Sequence, residues 1–102
     1  MYAMTGKMMA QAGRRDELAT ILLRAAQMVG GMPGCHMYAV TEDADDADAV
    51  WVLEMWDDQA THDASLQDAG VRALIAEAMP LLAGAPQGNA LRVVGGYGVW
   101  DN

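Results

Sequence analysis

The stretch Val50–Trp56 restricts the fold of this chain most strongly, because it is apolar on both sides of a strand. Side chains alternate between the two faces of a strand. The alternation gives two sets: Trp51, Leu53 and Met55 on one face, and Val50, Val52, Trp56 and the acid Glu54 on the other. Helices of the same chain can cover only one face of such a sheet. The other face therefore predicts a homodimer, with a second copy packed sheet against sheet by two-fold symmetry.

Periodicity and turn signals arrange the chain as β-α-β-β-α-β. The predicted strands are residues 2–11, 35–41, 50–56 and 90–97, and the predicted helices are residues 14–29, 57–67 and 71–79. Asp57 or Asp58 is expected to cap the second helix, and Gly70 to mark a joint before the third. Pro80 is expected to kink or end that third helix, because proline cannot continue the backbone hydrogen bonds. We expect one α+β domain over residues 1–102, a ferredoxin-like fold with a four-stranded antiparallel sheet.

Charge and composition exclude several classes of protein. The net charge is −8, with 14 acidic residues against 6 basic ones. A surface of this sign argues against nucleic-acid binding and against an anionic membrane surface. No stretch is long and apolar enough to span a bilayer, and residues 1–10 do not have the pattern of a secretory signal. The single cysteine, Cys35, gives no intrachain disulfide, so we expect a cytoplasmic protein.

The acidic run at residues 42–49 does not predict a cation site. In an EF-hand pattern that starts at Asp43, Asp48 stands where a glycine is required, and the twelfth position falls on Glu54 inside a strand. A solvated hairpin loop is the simpler interpretation. Two histidines and one cysteine without tight spacing also make no zinc site, so no metal is expected.

Three stretches together are similar to one known family. They are Pro33-Gly34-Cys35, the Glu54-x-Trp56 pair at the end of the strand, and the helical segments from His62-Asp63-Ala64-Ser65-Leu66 to Met79-Pro80-Leu81. Their order and length across nearly the whole chain resemble the antibiotic biosynthesis monooxygenase family, which includes small quinol monooxygenases and polyketide-anthrone oxygenases. The resemblance implies a dimeric α+β barrel with a pocket between helices and sheet in each monomer. It also implies oxygenation of a phenolic or quinol-type substrate without metal, flavin or haem.

The chain departs from common patterns of that family. Many relatives carry histidines where this chain has Ser65 and Gly70, and the histidine of that helix is here His62, one turn before Ser65. The haem-degrading branch uses an Asn–Trp–His set, and the first predicted strand contains no asparagine. That branch is therefore disfavoured.

Candidate site residues follow from this resemblance and from residue chemistry. A cofactor-free oxygenase needs a base for a phenolic proton, and histidine suits that role near neutral pH. His62 is the first candidate for this base and His36 the second, although a surface helix residue or a structural hydrogen-bonding histidine is the simpler interpretation of His62. The predicted substrate-binding residues are Trp56, Met37, Tyr38 and Arg92.

Glu54 lies on an apolar strand face and so requires a partner. Arg72 or Arg92 could supply one. We expect that pairing to be structural, across the dimer or within one chain.

The sequence leaves three functions open. The first is a cofactor-independent monooxygenase that oxidises a small aromatic quinol or polyphenol with molecular oxygen. The second is a non-catalytic dimer of the same fold that binds a small hydrophobic molecule. The third is a purely structural dimerisation domain.

Overall fold

The structure, a computed structural model, describes residues 1–99. The elements are β1 (Tyr2–Met9), α1 (Arg15–Val29), β2 (Cys35–Glu42), β3 (Ala49–Trp56), α2 (Gln59–Ser65), α3 (Ala69–Ala78), a 3₁₀ turn (Met79–Leu81) and β4 (Gln87–Arg92). The four strands form one antiparallel sheet in the order β2-β3-β1-β4. The predicted ferredoxin-like α+β fold is confirmed.

The two faces of the sheet differ as the alternation predicts. Val50, Val52 and Trp56 of β3 point towards the helices and are buried, with exposed fractions of 3% or less. Trp51, Leu53 and Met55 point the other way and are only half-buried. Leu91 and Met37 lie on that same side, and their side chains are exposed. We call this surface the outer face. Along β3 this face is apolar, and no helix within residues 1–99 covers it.

The last strand begins three residues earlier than the sequence predicts, and it ends five residues earlier. Val93 and Val94 suggested strand structure for residues 90–97, but β4 is Gln87–Arg92. Its position follows from β1, whose free edge pairs with it from Tyr2↔Arg92 to Lys7↔Gln87. Backbone hydrogen bonds set this register, so β4 needs no apolar side-chain pattern, and all six of its residues are exposed.

Aspartate side chains cap the N-termini of the two short helices, α2 and α3. Asp58 accepts a hydrogen bond from the backbone N–H of Thr61 at 2.8 Å, and Asp68 accepts one from Val71 at 3.0 Å. The joint between the helices is therefore at residues 66–68, and Gly70 lies inside α3. The third helix ends at Ala78, directly before the 3₁₀ turn that contains Pro80, as predicted.

The loop between β2 and β3 is organised by Asp43. Its carboxylate accepts hydrogen bonds from the backbone N–H groups of Asp45 and Asp46 and from the indole of Trp51. Arg15 of α1 donates to the carbonyl oxygens of Asp43 and Asp46 and pairs with Glu42 at 2.8 Å. The acidic loop thus ties the hairpin to α1. Within residues 1–99, no group of three or more acidic, histidine or cysteine side chains has a geometry that could hold a metal ion.

No helix in the described part of the chain is long and apolar enough to cross a bilayer.

Candidate functional site

A cavity of about 410 Å³ lies between the helices and the inner face of the sheet. Its helical walls are apolar and come from α1 (Ile21, Leu22, Ala25, Val29) and from α3 (Val71, Leu74, Ile75, Ala78). Met8, Tyr38 and Glu54 contribute from the strands, and Ser65 from the end of α2. The volume falls in the range of small-molecule sites, which combine apolar walls with a few polar groups.

The polar groups lie towards one end of this cavity. Tyr38 and Glu54 are direct partners across β2 and β3. Met8 is paired with Val50, four residues along β3 from Glu54, which is about 13 Å at the rise of a strand. A ligand in the cavity would therefore have one polar end near Glu54 and an apolar body towards Met8.

Glu54 is the charged side chain of this cavity, and its own side chain is only 14% exposed. The indole Nε1 of Trp56 donates a hydrogen bond of 3.0 Å to Oε1 of Glu54. Oε1 also lies 3.9 Å from Nε2 of His62. Both contacts use Oε1, and Oε2 has no hydrogen-bond partner among the described residues. Oε2 is therefore available to a group inside the cavity.

His62 lies behind Glu54. Its side chain is 5% exposed, and its Nδ1 lies 3.0 Å from Oδ1 of Asp63, a side chain that is 58% exposed. The imidazole packs against the rings of Tyr2 and Trp56, with centroid distances of 5.3 and 6.0 Å. Asp63, His62 and Glu54 thus form a row from solvent to the cavity. We call this row the Asp–His–Glu row.

The position of His62 follows from the local sequence. Asp58 begins α2 through a capping box with Thr61, which sets the rotation of this short helix. The helix then turns His62 and Ser65 inward, and the hydroxyl of Ser65 donates to the carbonyl oxygen of His62 at 2.6 Å. These are the two buried polar residues of the described core.

Tyr38 lines the cavity next to Glu54. Burial raises the pKa of its phenol, and the nearby charge of Glu54 raises it further. The hydroxyl is therefore neutral at physiological pH and can donate a hydrogen bond to a ligand. Burial likewise raises the pKa of the Cys35 thiol, so Cys35 is not an activated thiolate.

The residues proposed from the sequence are in four different environments. Tyr38 lines the cavity, while His62 and the fully buried Trp56 lie one layer behind it, in contact with Glu54. Met37 lies on the outer face, because neighbouring residues of a strand point to opposite sides and Tyr38 points inward. Arg92 lines a separate, open depression with Tyr2, Asp57 and Asp58.

The sequence-based prediction of a partner for Glu54 was wrong. An arginine was expected, but the contacts come from Trp56 and His62. The side chain two residues along the same strand face supplies a donor, so no distant cation is required. The acid on an apolar strand face was a signal for a site, and it was interpreted as structural. The second histidine, His36, pairs with Asp57 at 2.5 Å at the start of β2, and it does not line the cavity.

The fold and the cavity define a ferredoxin-like α+β protein with a mainly apolar cavity between its helices and its sheet. The sequence profile of the antibiotic biosynthesis monooxygenase family matches residues 1–77. The chain belongs to this family.

Solved structures agree with this assignment. A protein of Chloroflexus aurantiacus J-10-fl, provisionally named an antibiotic biosynthesis monooxygenase, is 40% identical, with a TM-score of 0.85 over 97% of this chain and 98% of its own. A protein of Deinococcus radiodurans with the same provisional name is 22% identical, with a TM-score of 0.85 over 99% of this chain and 100% of its own. The second likeness shows the fold alone. No curated protein matches the chain.

Proposed function

We propose that this protein is a cofactor-independent monooxygenase that oxidises a small aromatic quinol or polyphenol with molecular oxygen inside the cavity. The observation that carries the proposal is a single carboxylate, Glu54, at one end of a mainly apolar cavity of about 410 Å³. Apolar walls suit an aromatic ring and exclude water, and a carboxylate oxygen facing them can accept the proton of a phenol. The name of the family supports the use of oxygen.

The proposed chemistry can be written for a phenol with a ring C–H ortho or para to the hydroxyl, as in a hydroquinone or the enol form of an anthrone. Glu54 accepts the phenolic proton, and the phenolate transfers electrons to molecular oxygen. A C–O bond forms at the carbon of that C–H, and proton transfer gives a hydroperoxide at the same carbon. Loss of the ring proton then breaks the O–O bond, which yields a quinone and one water. The substrate supplies all four electrons, so the step needs no other reductant.

In this proposal His62 acts through Glu54 as a positioning residue. Asp63 accepts a hydrogen bond from Nδ1, and Nε2 is the ring nitrogen that faces Glu54. Nε2 can then receive the proton that Glu54 has accepted. The present 3.9 Å between the two groups must shorten for that transfer, and such contacts often tighten when substrate binds.

We expect the His62→Ala and His62→Gln variants to lose about 10- to 100-fold in kcat for oxygen uptake with a hydroquinone or an anthrone. The pH dependence of kcat should change as well, because the proton acceptor behind Glu54 is gone. His36→Ala is the matched control, since His36 also pairs with an aspartate but lies away from the cavity. Unchanged turnover and an unchanged pH profile in both His62 variants would remove this residue from the mechanism.

We further propose that the protein is a homodimer joined through the outer face. Trp51, Leu53 and Met55 form an apolar strip there, which is half-buried and lies under no helix of residues 1–99. Light scattering should give twice the chain mass of 10.9 kDa, and Leu53→Asp should reduce it to one chain, because the strip would then bury a charge. Leu23→Asp, at a residue of α1 that is 54% exposed, should leave the dimer intact. A monomeric wild type at micromolar concentration would refute the dimer.

The alternative is a non-catalytic dimer that binds a small hydrophobic molecule. The observation that favours it is the position of His62, which lies behind Glu54 and does not line the cavity. Calorimetric binding of a phenol, together with no oxygen uptake across a panel of hydroquinones and anthrones, would favour this function over the oxygenase.

A further inference from the structure

The charges around the cavity are unbalanced. Glu54 lines the cavity. His62 contacts Glu54 on the side away from the cavity, and Asp63 contacts His62 in turn. The six basic side chains of the chain are Lys7, Arg14, Arg15, Arg24, Arg72 and Arg92. None of these lines the cavity, and Arg14, Arg15 and Arg24 pair with surface acids instead. The Asp–His–Glu row carries net negative charge whether His62 is neutral or protonated.

We propose that Glu54 makes the cavity a charge filter, which accepts neutral aromatic molecules with a hydrogen-bond donor at one end and rejects aromatic carboxylates of the same shape. The ligand class is thus a neutral phenol without an acidic substituent at its polar end. The charge filter rests on the proposed function in one respect, because it takes this cavity as the ligand site.

Two physical effects support the filter. A carboxylate that enters the cavity exchanges water for apolar walls and finds no cation to pair with. It also meets the like charge of Glu54 at short range, where an interior of low dielectric constant screens repulsion weakly. A phenol O–H, in contrast, donates to the unpartnered Oε2 of Glu54, and its oxygen can accept from the neutral hydroxyl of Tyr38. The polar groups of the cavity therefore match a neutral donor and oppose an anion.

Isothermal titration calorimetry with isosteric naphthalene probes tests the filter. 2-Naphthoate and 2-naphthamide have nearly the same shape at neutral pH and differ in charge, and 2-naphthol represents the proposed ligand class. We expect the amide to bind the wild-type protein at least about tenfold more tightly than the acid, with saturable binding of the naphthol. In Glu54→Gln that ratio should fall, because the glutamine removes the like charge, while the cost of moving the carboxylate out of water remains. Glu77→Gln, at an exposed residue of α3, should keep the wild-type ratio.

The outcomes separate the filter from the oxygenase function. Equal affinities for acid and amide in the wild type would overturn the filter while the cavity remained a ligand site. An unchanged ratio in Glu54→Gln would also overturn it, since burial alone would then explain the discrimination. Absence of saturable binding by all three probes would overturn both the filter and the ligand site. Weaker binding of the acid than of the amide, together with no oxygen uptake in the presence of any phenol, would support the filter and refute the oxygenase. If the glutamine variant does not fold, equal affinities for acid and amide in the wild type would still overturn the filter.

Discussion

The Glu54→Gln variant should lose about 10²- to 10⁴-fold in kcat for oxygen uptake with a hydroquinone or an anthrone at neutral pH. The amide has the size of the carboxylate and its oxygen can still accept the indole hydrogen bond of Trp56, so the core should remain intact. The group that takes the phenolic proton is lost, however, and the neutral phenol reduces oxygen far more slowly than the phenolate.

The pH dependence makes this prediction specific. A phenol ionises in water near pH 10, as tyrosine does, so the activity of the variant should recover as the pH rises towards that value. A purely structural effect would not produce such recovery. Glu77→Gln is the matched control, because it makes the same change in an exposed side chain that pairs with Arg24. Wild-type turnover in Glu54→Gln at neutral pH would contradict the role of Glu54 as the base.

The Leu18→Ala variant should lower the free energy of unfolding by about 2–5 kcal/mol. Leu18 is fully buried under the sheet, in a cluster with Val50 and Val52 of β3 and Leu81 of the 3₁₀ turn. Truncation removes apolar contacts and leaves a void that the surrounding strands cannot fill. A domain of this size has a total stability of about 5–15 kcal/mol, so the loss is a large share of it.

Leu23→Ala is the matched control for this change. It is the same substitution on the same helix, but Leu23 is 54% exposed, and we expect a change of no more than about 0.5 kcal/mol. Urea unfolding, followed by tryptophan fluorescence at one fixed protein concentration, measures both variants under conditions that keep any dimerisation equal. Equal unfolding midpoints for the two variants would contradict this assignment of the core.

The order of elements was predictable because its signals are local. Glycine and proline mark the ends of segments, and the periods of two and about four residues separate strands from helices. The limits of the last strand were not predictable, because backbone pairing with β1 placed it on Gln87–Arg92 and left Val93 and Val94 outside. The homodimer, the cytoplasmic location and the roles of His62, Trp56, Met37, Tyr38 and Arg92 stay predictions.

The candidate site was only partly predictable. The sequence indicated Tyr38, Trp56 and His62 as functional, and all three gather around Glu54, although only Tyr38 lines the cavity. For Glu54 itself, the sequence predicts only a structural ion pair with an arginine. A sequence gives the type and face of a residue, but the partner of a carboxylate depends on distances between side chains of different elements.

The sequence alone determined that β3 is apolar on both faces, because alternation along a strand is a property of neighbouring residues. It therefore determined that helices would cover one face and leave an apolar outer face. The cavity under the covered face, and the place of Glu54 in its wall, follow from the packing of the whole chain. A cavity is the space left between side chains of distant segments. Its volume depends on the distance at which α1 and α3 pack over the sheet, and a local sequence pattern does not predict that distance.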